Sequence, residues 1–326
     1  MTDRENPPSG TSVARSQALG GNVLVTPARG GLSRKHREWL AAALFLLPDV
    51  IGLVVFLGVP MVLSLSLGFF KVSGFGDYEF IGLANYRRMW HDELFLKSLR
   101  VTATYAVILV PALYVTGLGL ALLVKQRVPL VGFLRAMFFL PYVISLVVIG
   151  VLWKFMLVDR VGIVNKLFAR LDLPRQSWLG DPKLTLYTLL VVTIWFLMGY
   201  YMILFLAGLQ EIPTEYYEAA KIDGAQPWQT FRDITLPLLK PTSFFVLLVS
   251  TISAVAGGQG FDLVYVMTKG GPANTTSVAI FHIYQQAFQY SDYGYAAALA
   301  SFLVAVLLIL TALLFAFTRG GRFEFD

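Results

Sequence analysis

The sequence predicts an all-α integral membrane protein with six transmembrane helices. Three observations carry that expectation. Charged residues make up only 14% of the 326 residues against 56% hydrophobic ones, and the mean hydropathy is +0.66. A soluble domain carries about 25% charge, so this chain has little polar material for covering a globule. Six apolar stretches cover 40–70, 101–124, 136–153, 184–209, 242–261 and 293–318, each reaching the roughly 17–25 residues that cross a hydrocarbon core. Asp49 is the one formal charge inside them.

The same composition removes several classes of function. Cysteine is absent, which excludes disulfide frameworks, thiolate metal sites and cysteine nucleophiles. His36, His91 and His282 fall in no metal-binding spacing, and no G-x-x-x-x-G-K-[ST] run supplies a phosphate loop. The net charge of +6 and pI of about 9.4 reflect basic residues flanking membrane spans rather than a nucleic-acid surface.

Along the chain, residues 1–33 are rich in Ser, Gly, Pro and Thr and are predicted to form a disordered cytoplasmic tail. Residues 34–326 form the membrane domain. Arg34, Lys35 and Arg37 precede the first span, which is too long for a cleaved signal and is a retained anchor. With both termini cytoplasmic, 14 of the 26 Lys and Arg residues lie inside and 12 outside. That margin is narrow, and the tail cluster and the short second connection set the direction. Ile163, Leu167 and Leu171 repeat at helical spacing with Lys166 and Arg170 on another face, which predicts a short interfacial helix. The mixed stretch 83–99 has a similar character. Pro48, Pro60, Pro111 and Pro141, with several glycines, lie within spans, where they either allow kinks and close packing or bend the helices to open a cavity. Asp49 follows Pro48, where it is expected to cap a helix segment beyond a proline break; a relay or substrate role is the alternative.

The connection between the fourth and fifth spans, 211–241, is different. Thr214 is expected to cap a short helix running through Glu218, Ala219 and Ala220 to Ile222. Gly224 supplies the flexible position after it, and Pro227 suits the first turn of a second helix carrying Trp228, Phe231 and Ile234. Pro237 and Pro241 then stop that helix. Two short helices joined at a glycine, with Ala219 and Ala220 as a small-residue face, form a knob suited to a groove on a partner.

This segment resembles the EAA loop of ABC-importer permeases, through Glu218, Ala219, Ala220, Asp223, Gly224, Ile234, Leu236 and Pro237. Further stretches resemble the carbohydrate-uptake branch of that family, the maltose-, glycerol-phosphate- and trehalose-type permeases. They are F-I-G-L-A-N-Y from Phe80, R-A-M-F-F-L-P-Y from Arg135, F-L-A-G-L-Q-E-I-P from Phe205 and T-K-G-G-P-A-N-T-T from Thr268. The matches span roughly 80–300.

The resemblance implies a permease subunit of the bacterial or archaeal inner membrane that is not itself an enzyme. It implies a second permease chain, expected as a homologous heterodimer partner, two ATPase subunits, an extracytoplasmic solute-binding protein, a sugar substrate and surrounding lipid. It implies no cofactor on this chain, since ATP and Mg are used by the partner ATPase. A lone secondary transporter would need intramembrane ionisable relays or internal repeats. A membrane-embedded transferase or hydrolase would need clustered carboxylates or histidines. The chain shows neither pattern. Sugar contacts call for aromatic rings beside Asp, Asn and Gln, so Tyr142, Trp153, Trp195, Tyr200, Tyr201, Gln259, Asp262 and Tyr265 are the candidates, although aromatic residues also gather at membrane interfaces. Three glycines and two polar side chains interrupt 257–262, which marks that stretch as cavity-lining.

Overall fold

The computed structural model describes residues 34–73, 76–125 and 130–317; the tail expected over 1–33 lies outside them. The chain divides at Gly58 into two compact units. The first contains α1 (Arg34–Leu53) and a π turn at Val54–Gly58. Pro48 lies inside α1 and the helix continues through Asp49, so Asp49 is a mid-helix residue and not the cap expected from the proline.

The second unit begins with α2 (Val59–Ser66) and a 3-10 turn leading into β1 (Phe70–Ser73), which pairs antiparallel with β2 (Asp77–Phe80), Phe70 opposite Phe80 and Ser73 opposite Asp77. This small hairpin departs from a purely helical expectation. After it comes α3 (Ala84–Met89). Buried Asn85 fixes it by donating from Nδ2 to the carbonyls of Gly68 and Phe70, both at 3.0 Å. The Tyr86 hydroxyl lies 2.9 Å from the Ser301 hydroxyl.

The second span starts earlier than its apolar run. α4 covers Glu93–Lys125 because the Asp92 carboxylate accepts the N–H groups of Leu94 and Phe95 at 2.9 and 3.1 Å, satisfying donors that every helix start leaves free. The predicted third span is two helices, α5 (Val131–Val143) and α6 (Leu146–Met156), meeting at 95°. The corner forms where Ile144 and Ser145 turn extended after Pro141. α7 (Ile163–Arg170) follows at the expected amphipathic stretch. Buried Asn165 ties its loop together, bonding the carbonyls of Asp159 and Gln176, the Gln176 N–H and the Trp178 indole.

α8 (Thr185–Glu211) is the central helix. It packs along α4, with Leu109, Leu113 and Ala121 meeting Leu189, Met202 and Phe205 in one buried cluster. Small residues permit the approach, as is usual between membrane helices. A Cβ at Gly117 would stand 2.8 Å from the Tyr201 Cβ, and one at Gly199 would collide with the Phe138 carbonyl on α5. Then come α9 (Thr214–Ile222), α10 (Pro227–Thr230), α11 (Leu236–Leu238), α12 (Lys240–Ala256), α13 (Gly258–Leu263), α14 (Ala279–Tyr284) and α15 (Tyr293–Phe317).

Among the described residues, five helices are long and apolar enough to cross a membrane: Glu38–Phe69, Glu93–Lys125, Thr185–Glu211, Lys240–Thr268 and Tyr293–Ala316. The bent α5–α6 pair makes six if it is one span.

One polar knot joins α14, α15 and the start of α4. Asp92 Oδ2 accepts the Tyr295 hydroxyl at 2.7 Å and lies 3.5 Å from His282 Nε2. Arg88 covers the Tyr295 ring at 3.9 Å and pairs with Asp292 at 2.6 Å. Burial pushes the Asp92 carboxyl up, but the Tyr295 and N–H donors and His282 outweigh it and hold the group below its ordinary value. Burial lowers the His282 imidazole despite the nearby carboxylate.

Candidate functional site

The segment 211–241 is the sequence element most unlike a membrane span. After α8 the chain runs extended through Ile212 and Pro213, and Pro213 takes the position before the first turn of α9. Thr214 is therefore the first helical residue and not the cap its residue type suggested. α9 ends as its glycine predicts. Gly224 sits at φ +75°, its N–H donates to the Lys221 carbonyl at 3.1 Å, and the Ala225 N–H donates to the Ala220 carbonyl at 2.9 Å. This pair of bonds is the Schellman arrangement, which requires a left-handed residue at that position.

Pro227 opens α10, and the Gln226 N–H donates to Gln229 Oε1 at 2.7 Å. The helix does not stop at Pro237 or Pro241. A π turn at Phe231–Thr235 leads into α11, and Leu239 alone separates α11 from α12. Each proline follows an irregularity that restarts the helix, Pro237 the π turn and Pro241 the turn at Leu239. The segment from Pro227 to Ala256 is helical on both sides of Leu239, with a π turn before it.

Adjacent residues on a helix point about 100° apart, and the structure separates the two alanines accordingly. Ala220 is buried while Ala219 is exposed, so they form no common small-residue face. The outward surface instead carries Glu218, Ala219, Asp223 and Gly224, with Ile222 87% and Trp228 66% exposed. Ile234 and Pro237 are half-buried behind them.

Three residues not singled out from the sequence hold this segment in place. Lys125, at the end of α4, donates to the Tyr217 hydroxyl at 3.0 Å and stands 4.2 Å from its ring centroid. That hydroxyl lies 3.2 Å from Thr235 Oγ1. Lys125 and Tyr217 are separated by 92 residues, so no local pattern links them; the Tyr216–Tyr217 pair before Glu218 was the available hint.

The second candidate region follows Gly257, which is extended (φ −71°, ψ 146°) between α12 and α13. The break is confined to that residue, and 258–263 is helical. Gln259, Asp262 and Tyr265 recur every third residue and so share a stripe. Ser253 Oγ donates to Gln259 Oε1 at 3.0 Å, whereas half-buried Asp262 has no hydrogen-bond partner among the described residues. Phe261 and Tyr265 stack at 5.6 Å, with Tyr284 edge-on to both.

The remaining candidates form separate groups. Tyr142 stacks on Tyr200 at 4.8 Å, and Tyr200 meets Tyr201 edge-on at 5.3 Å. Tyr201 itself is 1% exposed and belongs to the α4–α8 core. Trp195 meets Trp153 edge-on and lines a small cavity with Pro141 and Met198 at the α5–α6 corner.

Residues 113–320 match the family described as binding-protein-dependent transport system inner membrane component. A probable ABC transporter permease protein of Pyrococcus horikoshii is 36% identical over 272 residues, covering 82% of this chain and 91% of that protein. The trehalose/maltose transport system permease protein MalF of Thermococcus litoralis is 32% identical, covering 90% and 97%. Among solved structures, a chain of a bacterial alginate ABC transporter, crystallised with an alginate pentasaccharide-bound periplasmic protein, has a TM-score of 0.75. Its identity is 26%, over 87% of this chain and 95% of that one.

Proposed function

The chain belongs to the family of binding-protein-dependent transport system inner membrane components, and from that premise we propose that it is the permease subunit of an ATP-driven importer for a sugar or sugar derivative. The observation that carries the reading is the match over 113–320, which contains both the helix pair around Gly224 and the span broken at Gly257. The choice of sugar follows the sugars for which similar permeases are named.

In this reading the chain lies in the inner membrane with both termini cytoplasmic, and a homologous permease chain completes the pathway. An external solute-binding protein delivers the sugar. Two ATPase subunits use ATP and Mg, and this chain binds no cofactor and hydrolyses nothing. The loop 211–241 couples the two activities: Glu218, Ala219, Asp223 and Gly224 face a groove on the ATPase, and Ala220, Ile234 and Pro237 hold the segment's shape. The exposed Ile222 and Trp228 supply apolar anchors of the kind that dominate such contacts. ATP-driven closure of the partners then shifts an inward-open to outward-open equilibrium.

Gln259, Asp262 and Tyr265 lie on the substrate pathway, Asp262 accepting sugar hydroxyls and the Phe261–Tyr265 pair facing the apolar side of a ring. Tyr142 and Trp195 line it from α5 and α8. Tyr201 supports Tyr200 from behind.

The test is affinity purification of the tagged chain from its own membrane, followed by uptake and ATPase measurements on the recovered complex. An ATPase subunit should co-purify, and Glu218→Lys should remove it, since losing a buried charged partner at an interface costs roughly 2–5 kcal/mol. Recovery of the chain alone, with uptake intact, would refute the assignment.

A further inference from the structure

Behind α9 a cavity of about 350 Å³ opens between the end of α4 and residues 225–235. Its polar wall is Lys125, Tyr217, Lys221, Thr230 and Thr235. Lys125 is the last residue of the apolar span Glu93–Lys125, so the cavity lies at one end of that span. Lys125 is half-buried and uses one of its three donors on Tyr217. Neither lysine has a carboxylate partner among the described residues. Asp233, on the same segment, is taken by Arg232 at 2.7 Å, and Glu218 and Asp223 are exposed and line no part of the cavity. Arg135 lies outside the lining, held to the Val124 carbonyl at 2.9 Å.

We propose that this cavity binds a phosphate-bearing anion at the membrane boundary, seated between Lys125 and Lys221. A phosphate offers acceptor oxygens to both ammonium groups, which act on it as point charges, while the Thr230 and Thr235 hydroxyls are spent on the carbonyls of Gln226 and Thr230. The rest of the lining, Leu122, Ala225, Pro227 and Phe231, is apolar and suits the glycerol and first methylenes of a lipid. Basic pockets between membrane helices bind anionic headgroups on these terms. The bound anion would bridge α4 to the 211–241 segment, adding a non-protein strut to the Lys125–Tyr217–Thr235 contact.

The inference goes beyond the transport reading, and its test measures binding alone. The full chain, purified in mild detergent, is titrated with phosphatidylglycerol, with phosphatidylcholine and with inorganic phosphate. Lipid retention is read by native mass spectrometry and phosphate by phosphorus NMR line width. Lys125→Gln with Lys221→Gln should weaken the anion by about tenfold or more, Lys221→Gln alone by less, and Lys240→Gln, outside the cavity, not at all. Lys221 is exposed, so its single variant reports even if the double variant misfolds. Preferential retention of phosphatidylglycerol, lost in the variants, identifies a headgroup. Lysine-dependent binding of inorganic phosphate without lipid preference identifies a free anion. Equal retention of both lipids with no phosphate binding, or anion binding unchanged by either lysine substitution, overturns the proposal.

Discussion

At Gly224 a Cβ would meet nothing within 4 Å, yet φ is +75°. Substitution there is opposed by backbone conformation and not by crowding. Valine should cost about 1 kcal/mol or more and unravel the last turn of α9. Asparagine, which tolerates the left-handed region, should keep the turn. Hydrogen exchange over 219–225 distinguishes them: Gly224→Val should exchange faster than wild type and Gly224→Asn should not. His282 offers a second test. Its lowered value keeps it neutral in the folded chain below the ordinary 6.5, while the unfolded chain takes up the proton. Stability is therefore full above that value and falls as pH drops through it. Depressed Asp92 acts in the same direction at more acid pH. Melting curves between pH 7.5 and 5 should show a smaller loss for His282→Gln than for wild type.

Among the elements, the bent α5–α6 pair rests against α8 where Gly199 meets the Phe138 carbonyl, and a Cβ there would stand 2.7 Å from the Phe139 Cα. Both obstacles are backbone, which cannot rotate aside. Gly199→Ala should destabilise the chain by roughly 1–3 kcal/mol, while Gly119→Ala, with open space around it, should be near neutral. Detergent melting temperatures compare the two. This corner also shows where the sequence ran out. The run 136–153 is apolar throughout, and hydropathy cannot distinguish one straight span from two helices at 95°. The early start of α4 depends on the Asp92 cap, a polar feature to which hydropathy does not respond. Gly224 was legible because a single residue type answers a single backbone need. The split between Ala219 and Ala220 was not, since it depends on which face α9 turns toward Tyr217 and Lys125.

For the molecule as a whole, the absence of native cysteine makes topology directly measurable. With the loop 211–241 cytoplasmic, an impermeant thiol reagent on intact cells should label Asp172→Cys and leave Glu215→Cys unlabelled. The reverse pattern would invert the orientation. The helical path from Pro227 to Ala256 has a consequence of its own. At 1.5 Å per residue, its contour from Trp228 to Gly257 is roughly 40 Å. Leu239, the one residue on it outside a helix, keeps near-helical angles of φ −82° and ψ 0°. A change of angle at Trp228 meets the π turn at Phe231–Thr235 and then the joint at Leu239 before it reaches the extended residue Gly257 beside Gln259. If the loop couples to a partner as proposed, Leu239 and Gly257 are the two hinges at which its displacement is either passed along the chain or absorbed.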